Sequence, residues 1–192
     1  MKKVTLFLLP IIASLFIVSC KSKKATVALK ETGFKKVESP LTEQKYKSDE
    51  QNFRSRGIGE SPDESAARKI ALMNAKSEMA GLIKTTLQKV SDQYTNQRSS
   101  GKDKEYENKF EELIREVTDL GMANLIEIAA ENYVNDQGTN KTYVVLEVKK
   151  EEIFKKVESK ITSDKKLQID YDKQKFQSVF DSEIKKLADE RK

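Results

Sequence analysis

The sequence contains no histidine and no tryptophan, one cysteine and only 3 prolines in 192 residues. Without imidazole there is no Ser-His-Asp or Cys-His nucleophile, no His-ligated zinc or haem, and no side chain whose ordinary titration range straddles neutral pH. A lone cysteine excludes an intramolecular disulfide, a Cys-rich zinc site and a CxxC redox pair. Apolar residues are sparse at 37%, against 35% charged, a balance that amphipathic helices satisfy best because each buries only one stripe. The net charge of +5 arises from 36 Lys plus Arg and 31 Asp plus Glu, interleaved along the chain. No dense basic stripe or recognition motif accompanies it, so no nucleic-acid partner is expected.

The one long apolar run sits at the start. Lys2 and Lys3 precede a mostly apolar stretch from Val4 to Val18, interrupted by Pro10, and small Ser19 then leads to Cys20. This has the three parts of a secretory signal and is short for a span, since a bilayer core asks for roughly 20 apolar residues. The ending Ile17-Val18-Ser19-Cys20 resembles the bacterial lipobox, in which the cysteine thiol receives a diacylglyceryl group and the signal peptide, here residues 1–19, is removed just before it. The resemblance assigns lipidation to Cys20, and with it membrane attachment. Each buried acyl CH₂ contributes about 0.8 kcal/mol, so two or three chains hold where one is marginal. Lys21 after the cysteine, in place of the Asp that retains lipoproteins in the inner membrane of enteric bacteria, favours the outer membrane. Lys21, Lys23 and Lys24 are also placed to meet anionic headgroups.

Residues 20–49 read as a lipidated N-terminus and tether, because Gly33 and Pro40 interrupt any apolar period. From residue 50 the pattern sharpens into an α+β domain expected to run to residue 162. Phe53 to Gly59 reads as a strand. Ser61-Pro62-Asp63-Glu64 reads as a helix start, with Ser61 as N-cap and Pro62 in first position. The helix is expected to bury Ala66, Ile70, Met73, Ala80, Ile83, Leu87, Val90 and Tyr94, with Ala67, Ala71 and Ala75 as a second, thin stripe. After a polar loop from Arg98 to Asp103 comes a second helix carrying Tyr106, Phe110, Leu113, Val117 and Leu120, with Gly121 as its stop. Alternation over Ile126, Ile128 and Ala130, a loop from Asn135 to Asn140, and Thr142 to Val148 predict a β-hairpin. Helix returns from Lys149 to Ile161. The predicted architecture is a small antiparallel sheet of about three strands with long amphipathic helices on one face, followed by a C-terminal helical extension over 163–192.

Candidate chemistry is thin. Gly57-Ile58-Gly59 ahead of a helix lacks the third glycine of a dinucleotide fingerprint and the Gly-Lys-Ser/Thr of a phosphate loop, and Asp63 and Glu64 place negative charge where phosphate would sit. The two glycines read instead as room for a close helix crossing. The adjacent acids Glu111-Glu112 and Glu151-Glu152 diverge by about 100° on a helix and cannot flank one bond. No catalytic residue, metal site or cofactor is therefore expected. The apolar face of the last helix, Phe176, Val179, Phe180, Ile184 and Leu187, is the candidate surface for a protein partner or for self-association.

The stretch from Arg56 to Ala71, continued by Asn74-Ala75-Lys76-Ser77-Glu78-Met79-Ala80, resembles the core of the twenty-kilodalton membrane-associated lipoprotein family, with its Gly-x-Gly-x-Ser strand exit, Ala-Arg-x-x-Ala helix and downstream Asn-Ala. The resemblance covers roughly residues 50 to 150. It implies an outer-membrane lipoprotein with a small α+β fold, related to envelope proteins that include flagellar accessory components, and it implies no catalytic residues. The expected function is that of a lipid-anchored, non-catalytic structural or interaction module. The alternatives are a membrane-tethered ligand binder and an accessory subunit of a flagellar or secretion assembly.

Overall fold

A computed structural model describes residues 37–97, 104–169 and 171–190. The expected signal segment, Cys20, most of the expected tether and the loop expected from Arg98 to Asp103 lie outside the described residues. The elements are β1 (Asn52–Ser61), α1 (Glu64–Asn96), α2 (Lys104–Met122), β2 (Ile126–Val134), β3 (Asn140–Lys149), α3 (Lys150–Ser163), α4 (Lys165–Gln168) and α5 (Lys173–Glu190). The three strands form one antiparallel sheet in the order β1-β3-β2, so the class is α+β as expected.

Strand alternation decides which face α1 covers. Phe53, Ser55, Gly57 and Gly59 of β1 are buried on one side and pair with Val148, Leu146, Val144 and Thr142 of β3. At Gly57 and Gly59 α1 lies across the strand at a distance that admits no side chain. A Cβ on Gly57 would sit 2.0 Å from the Ala71 carbonyl oxygen and 2.4 Å from the Ala75 nitrogen, and one on Gly59 would sit 2.0 Å from the Ala67 oxygen. The Ser55 hydroxyl donates to the Ala75 carbonyl at 2.8 Å, tying strand to helix inside the contact. The expected reading of Gly57 and Gly59 as a close crossing is what the geometry contains.

That contact corrects the expected face of α1. Ala67, Ala71, Ala75 and Met79 point inward, while Ile70 and Met73 are 39% and 68% exposed. Larger side chains gain more from burial in general, but here the two glycines draw the helix backbone so close that only alanine fits. From Ile83 onward the expected stripe of Ile83, Leu87, Val90 and Tyr94 is buried.

The start of α1 is corrected too. Ser61 still belongs to β1, paired with Asn140, whose side-chain amide donates to the Pro62 carbonyl at 2.9 Å and holds the chain extended. Asp63 is the N-cap, its carboxylate accepting from the Ala66 N–H at 2.7 Å. In α2, Leu120 is 44% exposed and Gly121 is no stop: it is buried within the helix, where a Cβ would lie 3.0 Å from Ile153 Cδ1.

α3, α4 and α5 are separate. Asp164 is extended between the first two, and its carboxylate accepts from the Lys166 and Leu167 N–H groups. The Asp172 carboxylate caps α5 by accepting from the Lys175 N–H. The expected boundary at 163 does not divide the core, since Leu167 and the inner face of α5 are buried with α1, α2 and α3. Residues 39 to 192 form one compact unit. Residues 39–49, expected as tether, also belong to it.

Candidate functional site

Cys20, the expected lipidation site, and Ile17, Val18 and Ser19 of the expected lipobox lie outside the described residues. The other predicted site is placed clearly and is corrected. Phe176, Val179, Phe180 and Ile184 are all at most 6% exposed, and Leu187 packs partly buried against the same core. Phe176 meets Tyr94 edge-on with centroids 5.2 Å apart, and Phe180 meets Phe154 at 5.2 Å. The Tyr94 hydroxyl accepts from the Asp172 N–H at 2.8 Å, fixing the start of α5. The apolar face of α5 is therefore interior of its own fold. Its aromatic partners lie on α1, α2 and α3, far away in sequence, and no local pattern could have announced them.

Two grooves flank α1. One, of about 430 Å³, runs between α1 and α5 past Ser77, Gly81, Thr85 and Lys186. The carboxylate of Glu183 is buried beside it but already accepts from the Gln93 amide and the Lys186 ammonium. The other, of about 640 Å³, lies between α1 and α2 and is lined by Gln88, Asp92, Asn96, Glu107 and Glu111 among others. Neither has the mainly apolar lining with a few convergent polar groups that marks a small-molecule site. Among the described residues no group of three or more His, Cys, Asp or Glu side chains could hold a metal ion. No helix of the described residues is long and apolar enough to cross a membrane.

The sheet face turned away from α1 carries a network of polar contacts. Residues 39–49 cross it as a strap, with Leu41 buried against Tyr143 and Val145. Leu41 has φ 55°, a left-handed conformation uncommon for this residue type, held here by its burial. Arg54 fastens one end of the strap. Its guanidinium donates to Asp49 and to Glu147, both at 2.6 Å, and to the Lys47 carbonyl at 2.8 Å. Arg56 fastens the other end, donating to the Ser39 hydroxyl and the Pro40 carbonyl while lying 5.8 Å from the Tyr143 ring centre.

Burial alone would raise the Asp49 carboxyl, but hydrogen bonds from the Gln51 N–H, the Arg54 guanidinium and the Asn52 N–H outweigh it and hold Asp49 below the usual carboxylate range. Lys150, 2% exposed, donates its ammonium to the Asp49 carbonyl and sits 5.0 Å from the centre of the Phe53 ring. Sequence reasoning missed this strap. The available signal was the Asx turn at Asp49, whose side chain accepts from Gln51 and Asn52 just before β1.

The two margins of the sheet differ. On β1, the N–H and C=O of Arg54 are both bonded by the Ser48 hydroxyl, those of Asn52 by Asp49, and the Ile58 carbonyl accepts from the Asn74 amide at 2.7 Å. β2 pairs only with β3, and no other described residue bonds its outer margin. Its side chains are largely exposed, Ile126, Ile128, Tyr133 and Val134 by 58%, 37%, 49% and 62%, and only Ala129 is half-buried, against the Leu41, Tyr143 and Val145 cluster.

Compared with known proteins, the chain matches no protein-family model and no curated protein.

Proposed function

We propose that the protein is a lipid-anchored component of a bacterial cell envelope, held at the outer membrane through Cys20 and acting as a non-catalytic structural or interaction module. The observation that carries the proposal is the signal itself: basic Lys2 and Lys3, an apolar stretch, and Ile17-Val18-Ser19 ending on the only cysteine of the chain. The resemblance of residues 56–80 to the twenty-kilodalton membrane-associated lipoprotein family points the same way. The strap supports it mechanically. A chain arriving from a membrane anchor would enter the domain at residue 39, where Arg56 grips Ser39 and Pro40 and Arg54 grips Lys47 and Asp49, so a pull on the tether would load a network of charge-assisted hydrogen bonds spread across the sheet. The polar linings of the two grooves beside α1 do not suit an apolar ligand.

Metabolic labelling with a palmitate analogue tests the anchor. The wild-type chain is expected to take up label and to run as a processed form, while Cys20→Ala takes up none and accumulates as precursor. Label retained in Cys20→Ala would overturn the reading. Cross-linking in cells at native expression tests the second half: adducts to itself or to a defined envelope protein are expected, and a monomer alone under efficient cross-linking would contradict a role in interaction.

A further inference from the structure

We infer that the outer margin of β2 is a docking site for an extended, lysine- or arginine-bearing peptide segment of a partner protein, which would add to the sheet as a fourth strand. This deepens the reading of the domain as an interaction module and does not depend on the lipid anchor.

Three observations carry it. The first is hydrogen-bonding capacity. In an antiparallel ladder alternate residues turn their N–H and C=O toward the neighbouring strand and the rest turn outward. The Asn135 N–H bonds the Thr139 carbonyl at 3.1 Å, which sets the phase of the hairpin: Tyr133, Glu131 and Ala129 bond β3, and the N–H and C=O groups of Val134, Asn132 and Ala130 face out. No described residue pairs with those groups, whereas the opposite margin of the sheet is occupied by Ser48, Asp49 and Asn74.

The second is the missing protection. Exposed edge strands are ordinarily blunted by lysine, proline or bulges, because an open edge recruits other chains. This chain is rich in lysine, yet from Glu116 to Asn140 it has no Lys and no Arg, and no proline. Its one irregularity, a bulge between Glu127 and Ala129, lies at the start of β2 and leaves Ala129 to Val134 in regular register. Small, exposed Ala130 in the middle leaves room for a partner's side chain on the α1 side of the sheet, while Ile126, Tyr133 and Val134 offer apolar contact around it.

The third is charge, which selects the partner. β2 itself carries Glu127 and Glu131, with Asp136 in the turn that follows, and no basic residue. Glu127 is paired with Arg68 of α1 at 2.7 Å, whereas among the described residues Glu131 accepts a hydrogen bond only from the Tyr133 hydroxyl, with Lys45 of the strap acting on it from a distance. A second copy pairing through β2 centred on Glu131 would set that carboxylate against itself, which is unfavourable, whereas a strand with alternate Lys or Arg meets opposite charge. Main-chain bonds supply affinity and the acidic residues supply selectivity.

The test uses the full chain in detergent micelles and two labelled peptides, Lys-Val-Lys-Val-Thr-Val-Lys and Glu-Val-Glu-Val-Thr-Val-Glu, followed by fluorescence anisotropy. The lysine peptide is expected to bind about tenfold or more tightly than the glutamate peptide. Ala130→Pro removes an outward N–H without breaking the ladder to β3 and should weaken the lysine peptide by about tenfold at an unchanged unfolding temperature. Glu131→Lys reverses the charge of an exposed side chain at the loss of one surface hydrogen bond, from Tyr133, and should weaken it by about threefold or more, which keeps the test valid if the proline variant is unstable. Equal binding of both peptides, binding of neither, or binding untouched by both substitutions would overturn the inference, as would a dimer without peptide that Ala130→Pro dissociates. Partner adducts that persist in cells carrying Ala130→Pro and Glu131→Lys would sink the β2 site while leaving the interaction module standing.

Discussion

The two halves of α1 meet the rest of the molecule in opposite ways. The first half lies on the sheet backbone to backbone, through Ala67, Ala71 and Ala75 over Gly59 and Gly57. The second half, with Ile83, Leu87, Val90 and Tyr94, is packed among Phe110, Phe176 and the apolar faces of α2, α3 and α5. At the sheet end, stability comes from the absence of atoms, and at the bundle end from their presence. Dispersion and burial favour both arrangements, but they fail in opposite directions when volume changes.

Adding volume at the sheet end should have the largest effect. Gly57→Val places carbons inside the backbone of α1 and is expected to cost more than about 4 kcal/mol, so that little folded protein is recovered. Removing volume at the bundle end should come next: Phe176→Ala is expected to cost about 3–5 kcal/mol by urea unfolding, as for other buried phenylalanines. If Gly57→Val proved as mild as a surface change, the close crossing would be wrong and the contrast between the halves would disappear.

A smaller effect separates the strap from both. Asp49 is held below its ordinary range in the folded chain, so its contribution is fully present above about pH 3.9, the unfolded value, and is lost as pH falls through the lower folded value. Asp49→Asn should therefore lower the unfolding temperature at neutral pH and narrow the gap to wild type on acidification below about pH 4. A gap that stays constant with pH would place the role of Asp49 in shape and not in charge. The smallest effect is expected at Met73, which the apolar period nominates for the core: Met73→Lys should change stability by no more than about 0.5 kcal/mol, because that side chain is exposed.

The same contrast explains what could be read from the sequence. The α+β class, the hairpin and the second half of α1 follow from local periodicity, since Ile83, Leu87, Val90 and Tyr94 are apolar residues at helical spacing and all four are buried. The first half was misread because the deciding residues, Gly57 and Gly59, lie on another element and reverse the usual preference for Ile70 and Met73. The inner face of α5 looked available because its partners Tyr94, Phe110 and Phe154 are distant in sequence. The strap looked like a tether because its single strongly buried apolar residue, Leu41, has no period to belong to, and because Arg54 and Arg56 read as solvated charges until the fold brings Asp49 and Ser39 to them. The proposed lipobox from Ile17 to Cys20, by contrast, rests on a purely local run of residues, and the labelling of Cys20→Ala tests it without reference to the fold.

Residue-resolved amide hydrogen exchange on the full chain tests most directly the claim that the Gly/Ala contact closes one side of the sheet and leaves β2 open. Ala71 and Ala75 in α1 and Val144 and Leu146 in β3 should exchange only through global unfolding, while the outward amides of Ala130, Asn132 and Val134 should exchange orders of magnitude faster. Protection of those three β2 amides equal to that of Val144 and Leu146 would contradict the account.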